Sequence, residues 1–328
     1  MTPNPRRRRL LAQLAGTSAG LLLAPCTARA NDTGPIRLVV GYPAGQTVDI
    51  IARNYAAALT KSLGQSVYVE NRPGANGILG AQEVKRSSPD GRTLLFGTLG
   101  QLAINPGLYK KLPYDPLKDF APVSLVSIGP LLLVANPSFP ASNLQELIRY
   151  ARQHPDQVHY GSGGNGITAH LAMEILQARA GIQLRHVPYK GSPAALNDLM
   201  AGQVSLAFDA LPSAMPHVQA GKLKALGISG AQRSPQLPAV ATLSEQGLKD
   251  FEIYSWVGIL APAGTRPEVV SALNAAIRGA ASSPQIRDSL RATGSQPVLE
   301  SPAYFADFLR QEGTRWARAV VDAGAEID

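Results

Sequence analysis

Residues 35–47 read Pro35-Ile36-Arg37-Leu38-Val39-Val40-Gly41-Tyr42-Pro43-Ala44-Gly45-Gln46-Thr47, and Ile50, Ile51, Ala58 and Leu59 follow at near-helical spacing before Gly64. The β-branched run predicts a strand. The glycine- and proline-rich segment behind it cannot be regular structure, and the spaced apolar residues predict a helix that Gly64 stops. The same rhythm returns at once. Val67–Glu70 reads as a strand, Asn71-Arg72-Pro73-Gly74-Ala75-Asn76-Gly77 as a loop, Ile78–Ser87 as a helix, and Thr93–Gly97 as a third strand after the Pro89-Asp90-Gly91 turn. Strands alternating with helices imply right-handed parallel crossovers, and ligands of such sheets sit beyond the carboxyl ends of the strands.

Residues 122–135 break this pattern with a long extended apolar stretch, which predicts a crossing into a second α/β unit. There the pattern gives helix Leu144–Gln153, strand 158–160, turn Gly161–Gly166, helix Ile167–Ala180, strand Leu184–Val187, helix Pro193–Ala201, and strands Val204–Phe208 and Leu223–Ile228. The extended segment Ile253–Leu260 carries the chain back, and helices Pro267–Ala281, Pro284–Arg291 and Pro302–Ala323 complete the first unit. The expected division is a leader at 1–30, a discontinuous first lobe of 31–127 and 254–328, and a second lobe of 128–253. Two crossings between two α/β units leave a cleft, the usual seat of a small ligand.

Composition sharpens the class. The 328 residues are 45% apolar and only 16% charged, which excludes disorder and coiled coil. A net charge of +8 would fit a nucleic-acid binder were its position different. Arg6, Arg7, Arg8, Arg9 and Arg29 all precede residue 31, and taking those five from +8 leaves +3. No nucleic-acid partner is expected. The arginines, the short apolar run Leu10–Ala24 and the Ala28-Arg29-Ala30 site read as a signal peptide, so the protein is expected in the periplasm. Export by the general or the twin-arginine route stays open, and a soluble mature chain is preferred over one lipidated at Cys26. Cys26 is the one cysteine, so the chain after residue 30 has no disulfide, thiol nucleophile or cysteine metal ligand.

Gly161-Ser162-Gly163-Gly164-Asn165-Gly166 satisfies the dinucleotide pattern after a strand and before a helix. The next strand, Leu184–Val187, ends without the acidic residue that would hold a ribose, so no cofactor is expected. Two readings remain: an anion site of backbone N–H groups joined by Ser162, Asn165 and Thr168, or a glycine turn needed only for its backbone angles. The loops at 42–47 and 71–77 also lead into helices, so glycine-rich helix starts are expected around one cleft. Thr98 and Gln101 follow the third strand and read either as residues facing the cleft or as turn chemistry. Asp49 reads as a cap or helix-dipole partner, and Asn76 as a turn residue or an amide facing solute. Asp209, at a strand end, can accept bonds from a ligand amine, a water or a backbone N–H. Lys190 reads as an anion attractor or a solvated surface lysine. Nucleophile elbow, Walker loop and H-E-x-x-H are all missing, and the five histidines lack ligand spacing, so neither metal nor catalysis is expected.

Several motifs together carry a resemblance. They are Ile36–Val40 leading to Pro43-Ala44-Gly45 and Asp49, Glu70-Asn71-Arg72-Pro73-Gly74-Ala75-Asn76-Gly77, Leu112-Pro113-Tyr114-Asp115-Pro116, Tyr160-Gly161-Ser162, His186-Val187-Pro188-Tyr189-Lys190-Gly191, Ala220-Gly221-Lys222-Leu223 and Ala261-Pro262-Ala263-Gly264-Thr265. The chain resembles, over essentially all of its mature length, the Bordetella uptake gene (Bug) family of periplasmic receptors for tripartite tricarboxylate transporters. The resemblance implies a two-lobed class II periplasmic-binding-protein fold, each lobe a mainly parallel sheet flanked by helices. It implies a small organic carboxylate in the cleft, whether dicarboxylate, amino acid or aromatic acid, and delivery to an integral-membrane permease by a monomeric receptor. By position it nominates Tyr42, Pro43, Ala44, Gly45, Gln46, Ser162, Gly163, Asn165, Gly166 and Thr168, with Asn76, Thr98 and Asp209 beside them. Gln46 departs from the family's usual Pro-Ala-Gly-Gly. A periplasmic sensor and an exported hydrolase stand as the competing classes.

Overall fold

Two long strands decide how the molecule is put together. The computed structural model describes residues 34–292 and 294–322, so the expected leader, its arginines and Cys26 lie outside the described residues. In chain order come β1 (Ile36–Val40), α1 (Thr47–Leu63), β2 (Val67–Asn71), α2 (Ile78–Lys85) and β3 (Thr93–Thr98). A wide turn at Gly100–Ile104 then runs into α3 (Asn105–Leu108). After the crossing strand β4 (Phe120–Ala135) follow α4 (Leu144–Gln153), β5 (His159–Ser162), α5 (Thr168–Ala180), β6 (Arg185–Pro188), α6 (Ser192–Met200), β7 (Leu206–Ala210), α7 (Leu211–Gln219) and β8 (Lys224–Ile228). The return strand β9 (Tyr254–Pro262) leads to α8 (Pro267–Ala281), α9 (Pro284–Ala292), β10 (Gln296–Pro297) and α10 (Pro302–Asp322).

The first sheet has the order β2-β1-β3-β9-β4 and the second β4-β7-β5-β6, with β8 and β10 also against β4. In each, the strands joined through helices are parallel: β1 with β2 and β3, β5 with β6 and β7. The crossing strands run antiparallel to their neighbours, so both sheets are mixed. β4 belongs to both. It pairs with β9 as far as Pro130, with β7 from Leu131 on and with β8 from Leu132 on. Proline has no N–H to give, and the N–H of Leu131 goes to Ser229 Oγ at 2.8 Å. That fully buried hydroxyl donates in turn to the carbonyl of Ile253, just before β9, so one serine ties both strands where the sheets meet.

Local signals explain the helices. Asn143 accepts from Glu146 N at 2.9 Å while the Glu146 carboxylate takes Ser142 N at 2.7 Å, a reciprocal cap that fixes the start of α4. α1 ends on Gly64 at φ 62. The last helix locks onto the first sheet through two indoles: Trp256 on β9 and Trp316 on α10 both donate to Glu312 Oε2, at 2.8 and 3.1 Å. Both tryptophans are essentially inaccessible, so the shared carboxylate pairs polar groups that water cannot reach.

Candidate functional site

The carboxyl ends of β1, β3, β5 and β7 face one cavity of about 390 Å³. Tyr42, Gly45, Gln46, Thr47, Val48 and Ile50 line it from the first loop and α1, and Thr98, Gly100 and Ser255 from the ends of β3 and β9. From the strands of the second sheet come Leu131, Asp209 and Ala210, and from the helix starts beside them Ile167, Thr168, Ala169, Ser192, Pro193, Pro212 and Ser213. The starts of α1, α5, α6 and α7 therefore converge on it. None of the four carries a side-chain cap: the capping positions are Gln46, Ile167, Gly191 and Ala210. The first N–H groups of a helix have no partner inside it, so four partly positive ends point at one space.

Their charge balance differs. Asp49, in the first turn of α1, accepts Gly45 N at 2.9 Å, Arg53 Nε at 3.0 Å and Asn71 Nδ2 at 2.9 Å. Burial raises its pKa, but the bonds from Arg53, Gly45 and Asn71 outweigh that and hold it below the ordinary carboxylate value. Asp209 serves the α6 and α7 starts: it accepts the hydroxyl of Ser192, Ser213 Oγ at 2.6 Å and Ala210 N at 2.7 Å. Burial pushes its pKa up against those bonds. The start of α5 has no acidic residue in its first turn and an apolar capping residue, Ile167. It is the uncompensated positive end, and no lysine or arginine lines the cavity.

A layer of buried amides supports the floor. Tyr42 OH meets Thr98 Oγ1 at 2.9 Å and Asn76 Oδ1 at 3.1 Å. Desolvation pushes the Tyr42 pKa up to about 12, so the phenol keeps its proton. Asn76 sits at φ 48, and its Nδ2 reaches Asn105 Oδ1 at 2.8 Å and, across the two sheets, Gly166 O at 3.1 Å. Gln101 is fully buried, bonding Gly77 O at 2.8 Å and Thr98 N at 3.1 Å.

Of the residues singled out in the sequence, Tyr42, Gly45, Gln46, Thr98, Thr168 and Asp209 line the cavity. Asn76 and Gln101 brace its floor instead, because their amides are taken up by backbone and side-chain partners. Pro43 and Ala44 are exposed on the loop beside it, as is Lys190 on its own loop. Ser162, Gly163, Asn165 and Gly166 form the turn behind Thr168 rather than the lining. Sequence reasoning missed Ser192 and Ser213. A Ser-Pro pair opening α6 was a usable start signal, whereas the prolines at 212 and 216 disguised α7.

Behind that turn lies a stack of rings. Tyr160, His186 and His170 follow one another with centroids 4.8 and 4.1 Å apart. His186 Nε2 is 2.6 Å from Ser162 Oγ, and Gly166 N donates to His170 Nδ1 at 3.2 Å, which fixes His170 as a neutral acceptor at that nitrogen. Desolvation first, and the neighbouring His170 second, push the His186 pKa from 6.5 down to about 3. Because the folded pKa lies below the ordinary value, the unfolded chain binds the extra proton. Stability is therefore whole above about pH 6.5 and is lost as pH falls towards 3. The ring is partly solvated, which screens the effect. His186→Gln keeps a donor for Ser162 and cannot titrate, so urea titrations between pH 7 and 4 should show a flatter pH slope than the parent; an identical slope would assign the loss to other groups.

Comparison with known proteins fits this geometry. The family model described as "Tripartite tricarboxylate transporter family receptor" matches residues 51–324. The chain belongs to that receptor family. Protein BugT of Bordetella pertussis is 36% identical to the receptor over 307 residues, covering 93% of this chain and 94% of BugT. Among solved structures, Rpa4515 of R. palustris with adipate is 36% identical with a TM-score of 0.86, covering 90% of this chain and 99% of the other. MatC of Rhodopseudomonas palustris with bound malate is 35% identical with a TM-score of 0.81, covering 87% and 98%. The receptor thus has the two-lobed class II periplasmic-binding-protein fold, and it works outside the cytoplasm, serving a membrane permease of the tripartite type. Among the described residues no helix is long and apolar enough to cross a membrane, and no cluster of His, Cys, Asp or Glu is suited to a metal.

Proposed function

We propose that the cleft takes up a small organic carboxylate without chemical change and that the closed receptor hands it to its permease. The uncompensated start of α5, opening into the cavity opposite the start of α1, carries this reading. A carboxylate there receives charge-assisted bonds from backbone N–H groups, and its differential affinity for the closed form drives closure. Val48, Ile50, Leu131, Pro193 and Pro212 supply walls for an apolar body. The similar receptors whose structures hold adipate and malate support the same class.

Hydrolysis is disfavoured by how Ser162 is held. Its Oγ is tied to Gly164 O at 3.0 Å, Gly164 N at 3.2 Å and His186, and the residue is 2% exposed, so a substrate carbonyl has no approach to it. The test is a thermal-shift panel on the exported protein, unfolded and refolded to strip any carried solute, with aliphatic, amino and aromatic acids each run beside its primary amide. A ligand at 100 times its dissociation constant contributes about 2.7 kcal/mol. An acid that shifts the melting temperature while its amide does not is the expected result. Equal shifts by acid and amide, or none across the panel, would sink the carboxylate reading.

A further inference from the structure

We propose that Gln46 sets the length of solute the cleft accepts, by closing one end of the cavity against Gly191 on the facing side; this rests on the carboxylate reading above. Gln46 occupies the position before α1 in an extended conformation, φ −76 and ψ 160, yet its side chain makes no cap bond to the helix. That side chain is instead directed across the cleft. A Cβ on Gly191 would come within 2.7 Å of Gln46 Nε2, closer than such atoms approach. Gly191 cannot retreat easily, because its N–H is bonded to Gly163 O at 3.0 Å and its φ of +107 is one that glycine adopts without strain.

The amide of Gln46 and the bare backbone of Gly191 thus meet like two halves of an end wall. Both residues sit beside helix starts that line the cavity, Thr47 of α1 and Ser192 of α6. The neighbouring lining, Val48, Ile50 and Pro193, is apolar and suited to a methylene chain. Remove the Gln46 side chain and a chain anchored at the start of α5 can extend into the space it leaves beside Gly191. Glycine is also a favourable residue at the start of a helix, so the change leaves α1 intact.

The experiment is calorimetric titration of succinate, adipate and suberate, and of hexanoate, into the parent, Gln46→Gly and Gln46→Glu. In Gln46→Gly the affinity for suberate relative to succinate should rise at least tenfold over the parent ratio. Gln46→Glu preserves the length of the side chain, so it should keep the parent ranking by length while weakening adipate more than hexanoate through repulsion of the far carboxylate. An unchanged suberate-to-succinate ratio in Gln46→Gly, in a parent that binds members of the series, overturns the role of Gln46 alone. If no member binds the parent, the carboxylate reading falls and this proposal with it.

Discussion

Thr168→Asp is expected to abolish capture of acids while leaving the receptor at least as stable as before. The substitution gives the start of α5 the carboxylate it lacks, at a residue that lines the cavity. Two like charges about 4 Å apart at an effective dielectric of about 20 repel by about 4 kcal/mol. That corresponds to roughly a thousandfold in affinity, and residual water in the cleft lowers the expected loss to at least a hundredfold. An acidic side chain in the first turn contributes about 0.5 kcal/mol to the helix itself, so the melting temperature should hold or rise slightly. Thr168→Val removes the hydroxyl without the charge and should cost less than tenfold. Loss of binding by both variants alike would mean that the hydroxyl, not the helix start, holds the solute; retention of binding by Thr168→Asp would move the anion elsewhere in the cleft.

The largest effect on stability is expected at Glu312, far from the lining residues. Glu312→Ala leaves the N–H groups of Trp256 and Trp316 without the acceptor they share, in a region where both rings are 1% exposed. Each orphaned buried donor costs about 1–3 kcal/mol, and relief from burying the carboxylate offsets part of it, so a net loss of about 3 kcal/mol is expected in urea unfolding. Glu312→Gln retains an acceptor and should lose about a third as much. Affinity at low temperature should be unchanged in both. A loss below 1 kcal/mol in Glu312→Ala would mean that the indoles find other partners.

Much of this arrangement was legible from residues, and the parts that were not share a cause. Helices Leu144–Gln153 and Pro267–Ala281 start on an asparagine cap and on a proline in the first turn, local signals that no distant contact overrides. Helix Leu211–Gln219 is not legible in the sequence, because Pro216 inside it argues against a helix. Its position behind Asp209 nevertheless makes it one of the four ends at the cavity. Likewise the parallel strands followed from strand-helix alternation, whereas the antiparallel placing of β4 and β9 depends on pairing between segments more than a hundred residues apart. At the site, sequence position located the loops but not the direction of each side chain. Thr98 ends β3 and Gln101 lies three residues on, yet Thr98 lines the cavity while the Gln101 amide turns down to Gly77. Gly77 permits that turn, since a Cβ there would lie 2.6 Å from Gln101.

The placing of β9 between β3 and β4 also bears on how the chain matures. A chain that emerges from its N-terminus presents β1, β2 and β3 long before residue 254, and the edge of β3 that β9 will cover stays open throughout. The second sheet can pair early, since β5, β6 and β7 come from one contiguous stretch beside the end of β4. The first must wait for β9. Closing so long a loop costs entropy before any strand contact repays it, so acquisition of native structure should be slow and limited by insertion of Tyr254–Pro262. Until then an unpaired strand edge invites pairing with other chains, which makes the interval before that insertion the period when a newly exported molecule is most exposed to aggregation.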